Sequence, residues 1–217
     1  MRSFDYIESG KTLLTPHTTS LLAAIHEAKG RQSIQTTIRP DILGTLVAVA
    51  RIQSTDASNR IEGISTSDSR LNDLVSEKVT PRNRNEEEIA GYRDALSVIH
   101  ESHDYIPITP NVILQLHRDL FRHTPLTFAG HFKDSDNVII ERDAHGTSTV
   151  RFAPPSALVT PELIERACSA YTQAIRDGHT DPLLAIAMFI LDFICIHPFN
   201  DGNGRMSRLL TLLMLYR

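Results

Sequence analysis

The chain has 217 residues and a formal net charge of -4 at pH 7, and it is 41% hydrophobic and 22% charged. These values are typical of one folded domain, or of one domain with an appendage, and they exclude wholesale disorder. The chain has no long basic block, so we expect no nucleic-acid binding through these residues. No apolar run reaches the roughly 20 residues that a membrane span needs, so we expect no membrane insertion.

The N-terminal part, residues 1–84, is predicted to be a helical region. Its first eleven residues lack the apolar segment of a secretory signal, and we therefore expect a cytoplasmic protein. Apolar spacing predicts one helix near 16–28, ending at Gly30, and another that begins near Pro40. The polar residues 63–85 are expected to form a loop or a short connecting element.

The second part, residues 85–217, is predicted to be the core. Asn85 fits a helix N-cap, with Glu88 at the capping-box position. Three pairs of a capping residue and a proline mark further helix starts: Thr109-Pro110, Thr160-Pro161 and Asp181-Pro182. Together with apolar periodicity, these signals predict helices at 86–102, 110–122, 161–176 and 182–196, the last of them apolar nearly all round and therefore central.

One region favours strands. Asn137–Ile140 and Thr149–Phe152 flank a polar stretch that contains Asp143 and Gly146, which predicts a β-hairpin. The fold class we predict is therefore all-α, a helical bundle with one small hairpin.

Two further features concern the chain rather than its site. Cys168 and Cys195 lie far apart in apolar patterns, so we expect two buried, reduced thiols. The residues after Arg205 are predicted to form an apolar helix with no capping glycine, so we expect the natural chain to continue past Arg217; the alternative is a final helix buried within the domain.

The most informative segment is the loop between the last two predicted helices, which runs from His197 to Arg208. Gly202-Asn203-Gly204 can point successive backbone N–H groups at one anion, and the next helix adds the positive end of its dipole. Arg205 and Arg208 lie one turn apart and are expected to face the same anion. These residue types indicate a nucleotide phosphate site.

Two more residues of this loop indicate chemistry. Asp201 is a hard oxygen ligand next to the expected phosphates, which suggests Mg²⁺. His197 is a titratable base at the same place. The sequence alone therefore indicates a nucleotide site with a metal ligand and a base.

The loop resembles the Fic family motif, HPFx(D/E)GNGRxxR, at every defined position. The resemblance extends over about residues 54–208 and includes three other stretches. Gly130–Lys133 followed by Asn137–Ile140 resemble the family's flap, and Arg151–Pro155 resemble the segment after the flap. Ser58–Gly63 resemble the inhibitory motif (S/T)xxxE(G/N). Lys133 departs from the arginine that we expect in the flap. The resemblance implies a Fic-like helical bundle with the hairpin as a flap over the active site.

By this resemblance the protein is expected to be a Mg²⁺-dependent protein adenylyltransferase that transfers AMP from ATP to a Ser, Thr or Tyr hydroxyl of a protein, including itself as a candidate target. The implied roles are a general base at His197, Mg²⁺ binding at Asp201, a target-docking flap at Asp136–Ile140, and nucleotide binding by Gly202, Asn203, Gly204, Arg205 and Arg208.

The resemblance also implies autoinhibition. Glu62, in the motif that begins at Ser58, is expected to pair with Arg208 and keep it from the γ-phosphate. The alternative for Glu62 is an ordinary surface carboxylate next to Gly63. Whether the N-terminal helices act on their own site or on that of a second copy stays open, as does a homo-oligomer.

Three alternative functions remain open on the sequence. The same scaffold can remove AMP from a modified protein, with Glu62 activating water, or it can use another nucleotide donor. A nucleotide-binding regulator without turnover is the third, although such a protein needs neither His197 nor Asp201. Outside the loop, His117 and His123 are expected to lie at a helix edge.

Overall fold

The computed structural model describes residues 4–38, 40–142, 146–176 and 178–216. Within them the chain is mostly helical, with one antiparallel pair of strands. The elements in chain order are α1 (Tyr6–Leu13), α2 (Pro16–Ile38), α3 (Pro40–Ile61), α4 (Asp68–Val75), α5 (Arg84–Ser102), α6 (Pro110–Leu120), β1 (Ile139–Arg142), β2 (Ser148–Phe152), α7 (Thr160–Arg176), α8 (Pro182–Ile196) and α9 (Asn203–Tyr216). The all-α prediction with one small hairpin is confirmed.

Helix α8 lies in the middle of the main core, as its apolar sequence predicts. It begins at Pro182 after Asp181, whose carboxylate accepts from the Leu183 amide at 2.9 Å. It packs against α1, α7 and α9, and its Phe189 and Phe193 side chains are fully buried. Because α8 is enclosed on several sides, the loop that follows it starts from a rigid position.

Helix α5 is a second central helix, and it packs against α3, α4, α6 and α9. The contact with α6 is close, because a Cβ atom at Gly91 would collide with the Leu120 carbonyl. A separate small apolar cluster, formed by Leu71, Leu74 and Ile89, joins α4 to α5. Through these contacts the N-terminal region is attached to the core.

The hairpin is confirmed, and its strands pair antiparallel with Ile140 opposite Val150 and an irregularity next to Ile139. The strands begin two residues later and one residue earlier than the sequence suggested. Asp143, expected between them, lies outside the described residues. Both residues of the Ile140–Val150 pair are more than half exposed, so the hairpin projects from the helical body.

Several predicted boundaries were wrong in the N-terminal region. Helix α2 passes through Gly30 and continues to Ile38, since a glycine within a helix costs only about 1 kcal/mol and does not by itself end it. The segment 63–85 contains α4, which escaped detection because its apolar face has only two buried side chains, Leu71 and Leu74. Both errors arose where the local sequence gives only a weak indication of where a helix begins or ends.

Two predicted caps were also wrong. The N-cap of α5 is Asn83, whose side chain accepts from the Glu86 amide at 3.1 Å, and not Asn85. Helix α7 already includes Thr160, whose hydroxyl donates to the Ser156 carbonyl at 2.9 Å. A short 3-10 turn before Thr160 moves the helix start upstream.

Neither cysteine forms a disulfide; Cys168 is buried, as expected, and Cys195 is half-buried. Of the helices in the described residues, none has the combination of length and apolar character needed to cross a bilayer.

Candidate active site

The loop between α8 and α9 begins at His197, which is the C-cap of α8. Its backbone is left-handed, with φ 51° and ψ 63°, a conformation that costs a non-glycine residue of the order of 1 kcal/mol. Its amide still donates to the Phe193 carbonyl at 3.0 Å. The next two residues, Pro198 and Phe199, are buried. The start of the loop is therefore packed into the core, and the His197 backbone is held at the end of helix α8.

The side chain of Asn203 closes this loop. Its Oδ1 accepts from the Phe199 amide at 2.9 Å and its Nδ2 donates to the Phe199 carbonyl at 2.8 Å. Because both ends of this buried amide are used within the protein, Asn203 can contribute to a ligand site through its backbone N–H.

The first turn of α9 has open backbone donors. The Gly202 amide donates to Asp201 Oδ1 at 2.6 Å and the Met206 amide to the Gly202 carbonyl at 2.8 Å. Within the part of the chain that the structure describes, the amides of Asn203, Gly204 and Arg205 donate to no acceptor. The positive φ of Gly202, 82°, makes the turn that exposes them. Such a helix start can bind an anion.

The two arginines of α9 have different surroundings. Arg205 is 1% exposed, lies over the Phe121 ring at 4.9 Å, and pairs with Glu88 on α5 at 2.7 Å. Its Nη2 is 3.8 Å from Asp201 Oδ1. The guanidinium of Arg208 is more accessible. The two are thus not the equivalent pair that their spacing suggests, and Arg208 is the better placed to meet an incoming anion.

Helix α3 ends against this arginine. Arg208 Nη2 donates to Glu62 Oε1 at 2.7 Å and to the Ser58 carbonyl at 3.0 Å, and Arg208 Nε donates to Ser58 Oγ at 2.7 Å. The Glu62 carboxylate also lies against Gly204, because a Cβ atom there would collide with it. The carboxylate therefore lies beside the open amides of α9.

His197 is half-buried and lies in surroundings that favour its neutral form. Burial lowers the pKa of His197, the Ile194 carbonyl acts in the opposite direction, and the charge of Lys133 lowers the pKa further. A neutral imidazole at pH 7 can accept a proton. The site thus holds its candidate base in the form that base catalysis requires.

The flap segment Asp136–Ile140 begins close to this loop. The Asp136 carboxylate accepts from the Ala157 amide at 2.7 Å, and Asn137 contacts both Lys133 and the Phe199 carbonyl. Further along, Val138 and Ile140 are about half exposed, and Ile139 is partly buried. In the described residues β1 pairs only with β2, so its other edge is open to an added strand.

His117 was expected at a helix edge, but its side chain is fully buried. Its Nδ1 accepts from the Gly130 amide at 2.9 Å, its Nε2 lies 3.1 Å from the Asp201 carbonyl, and its ring stacks on Phe199 at 3.7 Å. Position 117 falls on the apolar face of α6, next to Leu116, so periodicity could have indicated burial. His117 thus contacts the loop between α8 and α9 from within the core.

The residues present fit a nucleotide with Mg²⁺. Asp201 has a side chain that is 47% exposed, beside the open amides. The described residues contain no cluster of three or more His, Cys, Asp or Glu side chains suited to a metal. A single carboxylate is what Mg²⁺ commonly takes from a protein when phosphates and water supply its other ligands.

The region that contains this site is similar to known proteins. The model of the Fic/DOC family matches residues 107–215, half of the chain. A Fido domain-containing protein of Dictyostelium discoideum is 37% identical over 86 residues, which are 38% of this chain and 55% of that protein. Protein adenylyltransferase fic-1 of Caenorhabditis elegans is 28% identical over 142 residues, which are 62% of this chain and 25% of that protein. The chain spans from a quarter to just over half of these relatives.

A solved structure has the same architecture. The crystal structure of a Fic domain-containing signaling protein from Bacteroides thetaiotaomicron matches with a TM-score of 0.71 and 25% identity, covering 82% of this chain and 66% of that chain.

Proposed function

The chain belongs to the Fic/DOC family, and on that premise we propose that it is a protein adenylyltransferase, which transfers AMP from ATP to a Ser, Thr or Tyr hydroxyl of a protein. The observation that carries the proposal is that the same loop has backbone amides without acceptors at the start of α9 and a half-buried imidazole at the end of α8. The first can hold a phosphate, and the second can remove a proton from the attacking hydroxyl.

In the proposed reaction, the amides of Asn203, Gly204 and Arg205 bind phosphate oxygens and stabilise the charge on them. Arg208 binds the γ-phosphate. Arg205, whose Nη2 lies 3.8 Å from Asp201 Oδ1, contributes positive charge next to the phosphates. Asp201 would hold Mg²⁺, which supplies neutralisation of phosphate charge when bound. Most of the rate enhancement then comes from positioning and electrostatics, as in other phosphate transfers.

His197 acts as the general base. It accepts the proton of the target hydroxyl, the hydroxyl oxygen forms a bond to the α-phosphorus, and the bond from that phosphorus to the bridging oxygen breaks. Pyrophosphate leaves and the AMP ester stays on the target. The flap at Asp136–Ile140 would orient the target by pairing it with the open edge of β1.

We propose further that Glu62 inhibits this reaction. Arg208 bonded to a carboxylate is not free to bind a γ-phosphate, and the carboxylate repels an anion at Gly204. A hydrogen bond between charged groups contributes about 1.5–3 kcal/mol. Because both side chains are about one-third exposed, we take the lower end, which corresponds to roughly tenfold in ATP occupancy.

The test is Glu62→Gly incubated with ATP and Mg²⁺, followed by mass spectrometry for AMP on the protein itself and by labelling of a lysate with α-labelled ATP. We expect modification by this variant and weak modification by the parent. Glu77→Gly, which removes another exposed carboxylate, is the matched control and should behave like the parent.

A Glu62→Gly protein that modifies neither itself nor any lysate protein, while still folded, contradicts the proposal. Labelling by a different α-labelled nucleotide, with none from ATP, would assign another donor. Release of AMP from a modified protein by water, seen only when Glu62 is present, would favour the hydrolytic removal of AMP instead.

A further inference from the structure

Lys133 contacts the carbonyls of the residues before and after His197. It is 3% exposed, and its ammonium donates to the Ile196 carbonyl at 3.2 Å. Its backbone amide donates to the Pro198 carbonyl at 2.8 Å. Since His197 has a left-handed backbone that is intrinsically unfavourable, bonds to both neighbouring carbonyls hold the residue in that conformation.

The same ammonium also contacts the flap. It donates to Asn137 Oδ1 at 2.9 Å, and the Asn137 amide in turn lies 3.5 Å from the Phe199 carbonyl. The Lys133 side chain thus connects the end of α8 to the first residues of the flap, while its backbone amide holds the loop after α8.

Packing alone does not explain a lysine at this place. Burial lowers the pKa of Lys133, and the charge of Asp136 acts in the opposite direction. A buried ammonium group carries a cost in desolvation. An apolar side chain of similar length would fill the same space without that cost, but it could not donate to Ile196 and Asn137.

We propose that Lys133 is a positioning residue that fixes the His197 backbone and the flap as one unit. A target strand paired with the flap then lies at a set distance from the imidazole. The inference rests on the proposed function, because it assigns a role in that same reaction. It concerns the target side of the site, since Lys133 makes no contact with the first turn of α9 in the described residues.

The experiment uses Lys133→Met and Lys133→Arg in the Glu62→Gly background, with Lys78→Met, an exposed lysine, as the matched control. Self-modification at saturating ATP should fall in Lys133→Met by on the order of 10²-fold, the usual effect of misplacing a reacting group by about 1 Å. Affinity for a fluorescent ATP analogue should stay within about twofold, because the amides of α9 are unchanged. Lys133→Arg should recover much of the rate, since it keeps the charge and the donors.

Asn137→Ala separates the flap contact from the loop contact. Alone it should slow modification less than Lys133→Met, and combined with Lys133→Met it should add little, because the two residues share one bond. Fully additive effects would show that the flap and the loop are not linked through Lys133.

A second readout does not depend on transfer. Removing the Lys133 charge should raise the pKa of His197, followed by proton NMR titration of the imidazole and assigned with His197→Gln. An unchanged pKa in Lys133→Met, or equal losses of rate, ATP affinity and melting temperature, overturns the positioning role. If Glu62→Gly itself transfers nothing, the proposed function fails, and the titration still tests whether the Lys133 charge acts on the His197 imidazole.

Discussion

Glu62 and Arg208 meet at 2.7 Å although they are 146 positions apart in the chain. Helix α3 ends at Ile61, so the carboxylate is carried just past a helix end, where Gly63 turns the chain with a φ of 76°. The same guanidinium is held by the side chain and the carbonyl of Ser58, one turn earlier on α3. The end of α3 thus holds Arg208 at three acceptors.

Ser58→Ala should relieve inhibition in part. The variant loses the acceptor for Arg208 Nε but keeps the Ser58 carbonyl and Glu62, so Arg208 is held less firmly. We expect self-modification to rise by roughly threefold to tenfold, less than in Glu62→Gly, as one hydrogen bond to a charged group allows. Rates of labelling with α-labelled ATP measure this. Ser58→Thr, which keeps the hydroxyl, should stay near the parent, and a Ser58→Ala rate equal to that of the parent would contradict the prediction.

His197→Ala, combined with Glu62→Gly, should lower the transfer rate by about 10²–10⁴-fold, the usual contribution of a general base. Binding of ATP should persist, because the amides of α9 and Arg208 are untouched. Single-turnover rates and nucleotide titration separate the two effects. Retention of the full transfer rate would remove the base role from His197.

Asp201→Asn, also with Glu62→Gly, should raise the Mg²⁺ concentration needed for half-maximal transfer. The amide keeps the hydrogen-bonding oxygen for Gly202 but loses the negative charge that favours a hard cation. Transfer measured across a Mg²⁺ series tests this, with the exposed Asp104→Asn as control. An identical Mg²⁺ dependence in both variants would show that Asp201 is not the metal ligand.

His117 should make the protein less stable in mild acid. Burial is the main cause that lowers its pKa from 6.5 to about 4, so below pH 6.5 the unfolded chain binds a proton that the folded protein does not. The free energy of unfolding should therefore fall between pH 6.5 and 4, by up to about 3 kcal/mol from this residue. Urea unfolding at several pH values measures it. His117→Gln should be less stable at pH 7 but show a shallower decline, and parallel curves would contradict the assignment.

Local signals in the sequence predicted much of the fold. The caps at Thr109 and Asp181 were correct because a cap, a proline and an apolar face all lie within one turn or two. Asn85 and Thr160 failed because a competing residue nearby, Asn83 in one case and a 3-10 turn in the other, started the helix elsewhere. Such competition depends on small energy differences that sequence patterns do not report.

For the site, the sequence identified the loop but not what surrounds it. The pairing of Arg205 with Glu88 joins two helices far apart in the chain, and spacing on α9 alone suggested that Arg205 would face the ligand as Arg208 does. The contacts of His117 and Lys133 could not be predicted for the same reason, since their partners are the Asp201 carbonyl and the carbonyls of the residues on either side of His197. Contacts of this kind follow only from the folded arrangement.

At position 197 the left-handed backbone favours glycine, whereas the proposed reaction needs a histidine side chain. Glycine adopts that conformation with no steric penalty, so a glycine at the end of α8 would make the fold more stable. The chain instead keeps an imidazole there and depends on neighbouring bonds to hold it. Under the proposed function, a search by random mutation for more heat-resistant variants would therefore favour glycine at this position and lose the candidate base.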